Sequence, residues 1–336
     1  MLGGMRAATK VVAGGLGPLS SLDLVFFGGK GGVGKTSNAG AFGTWIAENT
    51  GKNVLVASTD PAHSLGDVFE MELEPGAVTA VPGIPNLHLL EIDVETCYDE
   101  FKESLMPGDD DLVKRADGEG KRFLDELQEI LGKKPPGIDE TFAFMKVLEL
   151  AGDSNHDMVV IDTAPTGHTV RLLGRMEFLT GSWGALMKGV YKLEKSFNTI
   201  KKAFGKARGG GADLKLVEFD HLRKQLKGMK KDLQDPGKTS FVVVLVPEKM
   251  VIRETERLLT ALVTMEIPVR HLVVNQVLPP AVDCDYCRRR YDGQQAHLEE
   301  IDFQYDDEFN VVKVPFLGSD VRGLEKLRDV GKHLFT

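Results

Sequence analysis

Cysteine is scarce in this chain, with three residues in 336. Three thiols cannot build a disulfide framework, which excludes the stapled secreted scaffolds. Long apolar runs are missing too. No stretch approaches the ~20 residues that a membrane-spanning helix needs. The longest, such as Phe241 to Val246, have the length of a buried strand. Positive charge is in deficit: 41 Lys and Arg stand against 50 Asp and Glu, a formal net charge of −9. An acidic chain of this kind argues against nucleic acid as a partner. The first twenty residues lack the continuous apolar core and the cleavage site of a signal peptide. They are Gly-rich and weakly basic, contain Pro18, and read as a flexible leader over 1–20. A cytoplasmic location is expected.

What is present, 42% hydrophobic and 27% charged residues, is the composition of a globular protein. Six short apolar runs carry the pattern of the fold: Leu22 to Phe27, Val54 to Ala57, Met158 to Ile161, Phe241 to Val246, His271 to Val274 and Val311 to Val314. Asp23, His271 and Lys313 aside, each is apolar throughout, as strands covered on both faces are, and helical patterns separate most of them. The fold class predicted is a doubly wound, mostly parallel α/β sheet, with ligand beyond the strand C-termini. The core is read as 21–94, 148–175 and 236–336. Two stretches, 95–147 and 176–235, break the alternation and read as helical inserts.

The strongest motif is Gly29-Lys30-Gly31-Gly32-Val33-Gly34-Lys35-Thr36, followed by Ser37. It fits G-x-x-x-x-G-K-[ST] between a strand and a helix. Glycines let backbone N–H groups turn inward around phosphate oxygens, and the helix N-terminus adds its positive end. Lys35 is placed to reach the β- and γ-phosphates of ATP, and Thr36 to hold Mg²⁺. Lys30 is a second lysine that cradling phosphates in the same subunit does not require. Asp60 opens the segment Asp60-Pro61-Ala62-His63-Ser64-Leu65-Gly66-Asp67 at the end of the second strand, where it can orient or deprotonate a water. Asp162 opens Asp162-Thr163-Ala164-Pro165-Thr166-Gly167-His168-Thr169, in the position that supports Mg²⁺. Alone, each aspartate reads as a helix cap. Beside the loop, the two segments read as switches that sense the γ-phosphate. His63 and His168 fit capping or switch hydrogen bonds better than metal ligation.

These three segments, GKGGVGKT, STDPAHSLGD and DTAPTGHT, resemble the family of the arsenite-pump-driving ATPase and the guided-entry ATPase that targets tail-anchored membrane proteins. PPGIDE at Pro135 to Glu140, Pro247-Glu248, Asn275-Gln276 and VPFLGSDVRGL at Val314 to Leu324 extend the match from about Leu24 to the C-terminus. The resemblance implies a deviant P-loop hydrolase in which Lys30 crosses a dimer interface to the partner's phosphates. It implies that Glu248 and Asn275 contact nucleotide, the asparagine reading adenine, and that the loop from Pro315 through Phe316 and Leu317 covers the base. The arsenite-driving enzyme typically joins two ATPase halves. This chain has one, as archaeal-type homologues do, so a homodimer is implied. Cys284-Asp285-Tyr286-Cys287 offers two thiolates, and the resemblance implies that two copies across a two-fold axis would complete a tetrahedral Zn²⁺ site. A redox pair and two unligated thiols are the other readings of that CxxC. Cys97 reads as a core or surface thiol.

The second insert carries an apolar stripe: Leu179, Trp183, Leu186, Val190, Leu193, Phe197, Ile200 and Phe204, with Met187 beside it. Phe219, Leu222, Leu226, Met229 and Leu233 form a shorter one. At ~1.5 Å per residue the first spans roughly 38 Å, against a bilayer core of ~30 Å. The residues alone suit packing on the rest of the chain or a coiled coil equally well. The resemblance makes the stripe a groove for a client's membrane helix. The function expected is therefore a homodimeric ATPase that binds tail-anchored proteins and acts transiently at the membrane, through a receptor the sequence does not identify. Ser64, where eukaryotic targeting enzymes usually have Asn, also resembles the arsenite-driving branch. An arsenite/antimonite-export subunit and a positioning ATPase (ParA/MinD-like, as in partition and septum-site regulators) are the rivals.

Overall fold

The computed structural model describes residues 14–60, 64–93, 155–164, 231–280 and 284–336, with single positions at 96, 99, 146, 150 and 228. The chain divides into two compact units. One is Met1–Ile92, Val147–Val170 and Asp232–Thr336; the other is Asp93–Lys146 and Arg171–Lys231. The described residues lie almost entirely in the first. PPGIDE, Cys97, His63, His168 and the stripe from Leu179 to Phe204 fall outside them. Leu233, the last residue of the shorter stripe, is buried in the first unit.

Eight strands form one sheet: β1 Leu24–Gly28, β2 Val54–Ser58, β3 Thr79–Val81, β4 Ile84–Glu91, β5 Met158–Asp162, β6 Thr239–Leu245, β7 Val269–Val277 and β8 Asn310–Pro315. Their order is β3-β4-β2-β5-β1-β6-β7-β8, with only β3 antiparallel to its neighbour. This is the mostly parallel α/β class that the apolar runs predict, and all six runs are strands. In β1, β2, β5 and β6 every residue is buried, because helices cover both faces. β1 sits where the order reverses, with β5 on one side and β6 on the other. Loops on either side of such a point diverge and leave a crevice at the strand C-termini.

Helices α1 Lys35–Thr50, α2 Ser64–Phe69, α3 Lys249–Thr264, α4 Asp285–Tyr305 and α5 Gly323–Phe335 flank the sheet among the described residues. α1 buries ten of its sixteen residues and has no polar face of any width, as befits a helix enclosed between sheet and a further layer. That layer is α5. Its Phe335 stacks on Trp45 at 3.6 Å between ring centres, and Arg328 grips Glu48 with three hydrogen bonds of 2.7, 2.9 and 3.2 Å. No helix among the described residues is long and apolar enough to cross a membrane.

The flexible leader expected over 1–20 ends sooner than read. Gly17–Ser21 is a 3-10 helix, Leu16 and Leu19 are buried, and the Leu16 amide donates to the Leu334 carbonyl at 2.7 Å. Leucines at 16, 19 and 22 give this segment an apolar face, and burying it beside α5 outweighs the glycine content that suggested flexibility.

Candidate functional site

The loop after β1 is shaped by its glycines. Gly34 has φ +90°, and a Cβ there would lie 2.3 Å from Asn275 Nδ2. No other residue type suits both conditions. α1 begins at the next residue, so its first N–H groups face the loop. Gly29, Gly31, Gly32 and Val33 complete the turn, with Val33 buried and Gly31 and Gly32 exposed. Lys35 is buried, and its Nζ donates to the Lys30 carbonyl at 3.3 Å. Burial pulls its pKa below the ordinary lysine value, while the charges of Asp162 and Asp60 oppose that pull.

The register of the sheet brings the acidic residues to the same end. Asp162 stands opposite Phe27 on β1 and Ser58 on β2. Thr36 Oγ1 donates to Asp162 Oδ2 at 2.7 Å, and Ser58 Oγ donates to the same oxygen at 3.1 Å. Having spent its one proton on Asp162, Thr36 accepts from Ser64 Oγ at 3.0 Å. The Asp60 amide donates to Ser58 Oγ at 3.2 Å. Ser58 therefore ties the start of one switch segment to the carboxylate of the other. Asp162 is fully buried, and its Oδ1 has no hydrogen-bond partner among the described residues. Burial pushes its pKa up to about 6, against the lowering effects of Thr36, Lys35 and Ser58.

An orphaned oxygen on a buried carboxylate, next to a threonine hydroxyl at the mouth of a P-loop, fits a hard divalent cation. A cleft of about 390 Å³ opens beside it, lined by Gly34, Ser37, Asn275, Pro315, Phe316 and Leu317 among others. Asn275 donates from Nδ2 to the Val33 carbonyl at 2.9 Å. Its Oδ1 is then the amide's remaining acceptor. Phe316 is 44% exposed, which leaves an aromatic face for a base.

Other expected residues stand apart. Glu248 is exposed at the N-cap of α3 and does not line the cleft. Lys30 is half-buried, and its side chain makes no hydrogen bond or ion pair among the described residues. Cys284 and Cys287 are free, exposed thiols at the start of α4. The Cys287 amide donates to Cys284 Sγ at 3.4 Å. That bond, with contributions from the Cys287 thiol and the Tyr286 amide, lowers the Cys284 pKa, whereas Cys287 is raised by its bond to Cys284. Two thiols are half a zinc site, and no described group of three or more metal-ligating side chains exists.

Sequence reading missed Ser58 as a link and Asn38 altogether. Asn38 Nδ2 donates to the Gly34 carbonyl at 2.8 Å. Its only sequence signal is its place one turn beyond Lys35, on the face that meets the loop.

Comparison with known proteins agrees with this geometry. The ATPase ASNA1 homolog of Entamoeba dispar is 37% identical over 321 residues, covering 91% of this chain and 92% of the relative. ATPase GET3 of Komagataella phaffii is 35% identical over 324 residues, covering 94% and 90%. ATPase GET3B of Arabidopsis thaliana is 37% identical over 321 residues, covering 90% and 76%. The anion-transporting ATPase family model matches residues 22–336. With a P-loop, a buried aspartate and a base-sized cleft at one end of its sheet, and with that match along nearly all its length, the chain is an ATPase and belongs to the anion-transporting ATPase family.

Proposed function

We propose that this ATPase works as a homodimer that binds the apolar membrane segment of tail-anchored proteins and delivers it from the cytoplasm to a membrane. The observation that carries the reading is Lys30. Lys30 is a second loop lysine, half-buried, with its side chain uncommitted among the described residues. Such a lysine has a use in a dimer, where it neutralises charge developing on the partner's phosphates. The resemblance of the three motifs to the targeting ATPase supplies the client.

In this reading the loop amides and Lys35 hold the β- and γ-phosphates of ATP. Thr36 and Asp162 would hold Mg²⁺, which neutralises phosphate charge when bound. Asn275 Oδ1 accepts from the adenine amino group, and Phe316 and Leu317 cover the base. Asp60 takes a proton from water as that water attacks the γ-phosphorus, and ADP leaves with inorganic phosphate. Ser58 transmits the change, since Asp60 and Asp162 share it. Cys284 and Cys287 from two copies would hold one Zn²⁺. The stripe from Leu179 to Phe204 forms the client groove, closed by ATP and opened by hydrolysis.

Co-purification with a tail-anchored substrate tests this. Capture is expected from the parent chain and lost on Phe197→Asp with Ile200→Asp, and release is expected to fail in Asp60→Ala. Capture that ignores the groove substitutions would refute the client assignment. A second reading, an arsenite-export subunit, follows from Ser64, because serine at that position resembles the arsenite-driving branch; its hydroxyl lies 3.0 Å from Thr36 Oγ1. That reading requires arsenite to stimulate hydrolysis, with the stimulation lost on changing Cys97, Cys284 or Cys287.

A further inference from the structure

β7 does not run straight to its end. Its pairing with β8 slips between Val274 and Val277, and Gln276 sits at φ +58°, a region that non-glycine residues rarely occupy. Three parts of the molecule meet at this kink. Asn275 Nδ2 donates to the Val33 carbonyl in the P-loop at 2.9 Å. The Phe316 amide, from the loop lining the cleft, donates to the Val277 carbonyl at 2.8 Å. From α4, Gln294 Nε2 donates to the Gln276 carbonyl at 3.1 Å, and Gln294 Oε1 accepts from the Leu278 amide at 2.7 Å.

The last pair of bonds has a physical reason. A slipped ladder leaves backbone groups without strand partners, and such groups seek others. Here they are one carbonyl and one amide, two residues apart. A side-chain amide offers a donor and an acceptor at once, and Gln reaches further than Asn. Gln294 thus closes the kink that fixes Asn275. The tolerance at Asn275 is small, because its Nδ2 lies where a Cβ on Gly34 would be. With Nδ2 committed to Val33, the orientation of the amide decides what Oδ1 presents to a base. An acceptor there suits the amino group of adenine and opposes the carbonyl of guanine.

We propose that Gln294 is a positioning residue for nucleobase selection, acting through the Gln276 kink on Asn275. This rests on the reading that Asn275 meets the base. Gln294 is not among the residues lining the cleft, so its loss moves the adenine-to-guanine preference while the phosphate-binding residues stay intact.

The test measures the dissociation constants of Mg·ADP and Mg·GDP for the full chain and for Asn275→Ala, Gln294→Ala and Gln294→Glu, with thermal melting as the check on folding. Gln294→Ala is expected to reduce the ADP-to-GDP preference roughly five- to tenfold, the scale of one hydrogen bond, mainly by weakening ADP. Gln294→Glu keeps the bond from Leu278 and loses the one to Gln276, so it should restore part of the preference. It also carries the test if the alanine variant does not fold. A preference that survives in both Gln294 variants while collapsing in Asn275→Ala overturns the proposal and leaves the base contact standing. A preference untouched by Asn275→Ala overturns the base contact itself.

Discussion

Taking a carboxylate out of water is costly unless its oxygens are paired, and Asp162 is only half paired. Oδ2 accepts from Thr36 and Ser58, while Oδ1 has no partner among the described residues. Its pKa is pushed up to about 6 from an ordinary 3.8. A group raised in this way favours the fold while protonated and weakens it as pH rises through the folded value, by roughly 3 kcal/mol for two units. Asp162→Asn keeps an acceptor for Thr36 and Ser58 and removes the charge. The variant should therefore melt higher than the parent at pH 8 without nucleotide, while hydrolysis in Mg²⁺ falls by at least about 10²-fold. Calorimetry and a phosphate-release assay read the two effects. A lower melting temperature would mean that the carboxylate is already compensated. At this scale the site was legible wherever one short segment does the work. The loop from Gly29 to Thr36 names its own chemistry, because glycines, lysine and hydroxyl all serve one phosphate chain. Ser58 and Gln294 were not legible, since their partners stand at 162 and at 276 to 278, and only the sheet brings them together.

Strands β3 and β4 show the same limit for elements. β4, Ile84–Glu91, buries residues unevenly and carries Pro85, Asn86 and His88 among its leucines. Near the sheet margin one face meets water, so no continuous apolar run marks it. β1, β2, β5 and β6 lie inside and announce themselves. The pairing of β7 with β8 places His271 against Asn310. Asn310 Nδ2 stands 3.1 Å from His271 Nδ1 and donates to the Gly15 carbonyl at 2.8 Å, which fastens the N-terminal segment to the sheet. An amide nitrogen only donates, so Nδ1 must be the bare nitrogen of a neutral ring. Burial first, and the charge of Arg270 second, lower the His271 pKa to about 4 from 6.5. The unfolded chain then binds the proton before the folded one, so stability falls as pH drops from 6.5 towards 4. At pH 5 the loss comes to about 2 kcal/mol. Urea unfolding at pH 7 and pH 5 should show wild type losing that much more than His271→Gln, whose side chain does not titrate. Equal losses would place the acid sensitivity elsewhere.

At the scale of the whole molecule, the proposed homodimer would complete both the Lys30 site and the cysteine pair. Cys284 and Cys287 supply two ligands where a closed zinc site takes four. Native mass spectrometry should find one zinc per two chains, and Cys284→Ser with Cys287→Ser should lose both the metal and much of the dimer. One zinc on a monomer would refute the shared site. For Lys30 the proposed dimer allows a sharper test than loss of activity, because Lys30→Ala alone does not say whose phosphate the lysine serves. Consider Lys30→Ala and Asp60→Ala, each expected to be inactive by itself. In a mixed dimer the Lys30→Ala subunit keeps its own Asp60 and receives Lys30 from its partner, so its site is whole. The other site lacks both groups. Random pairing after co-expression in equal amounts should thus return about a quarter of the wild-type rate, since half the dimers are mixed and each has one working site. If Lys30 served its own subunit, neither site in a mixed dimer would carry both groups, and the mixture would stay as inactive as its parents.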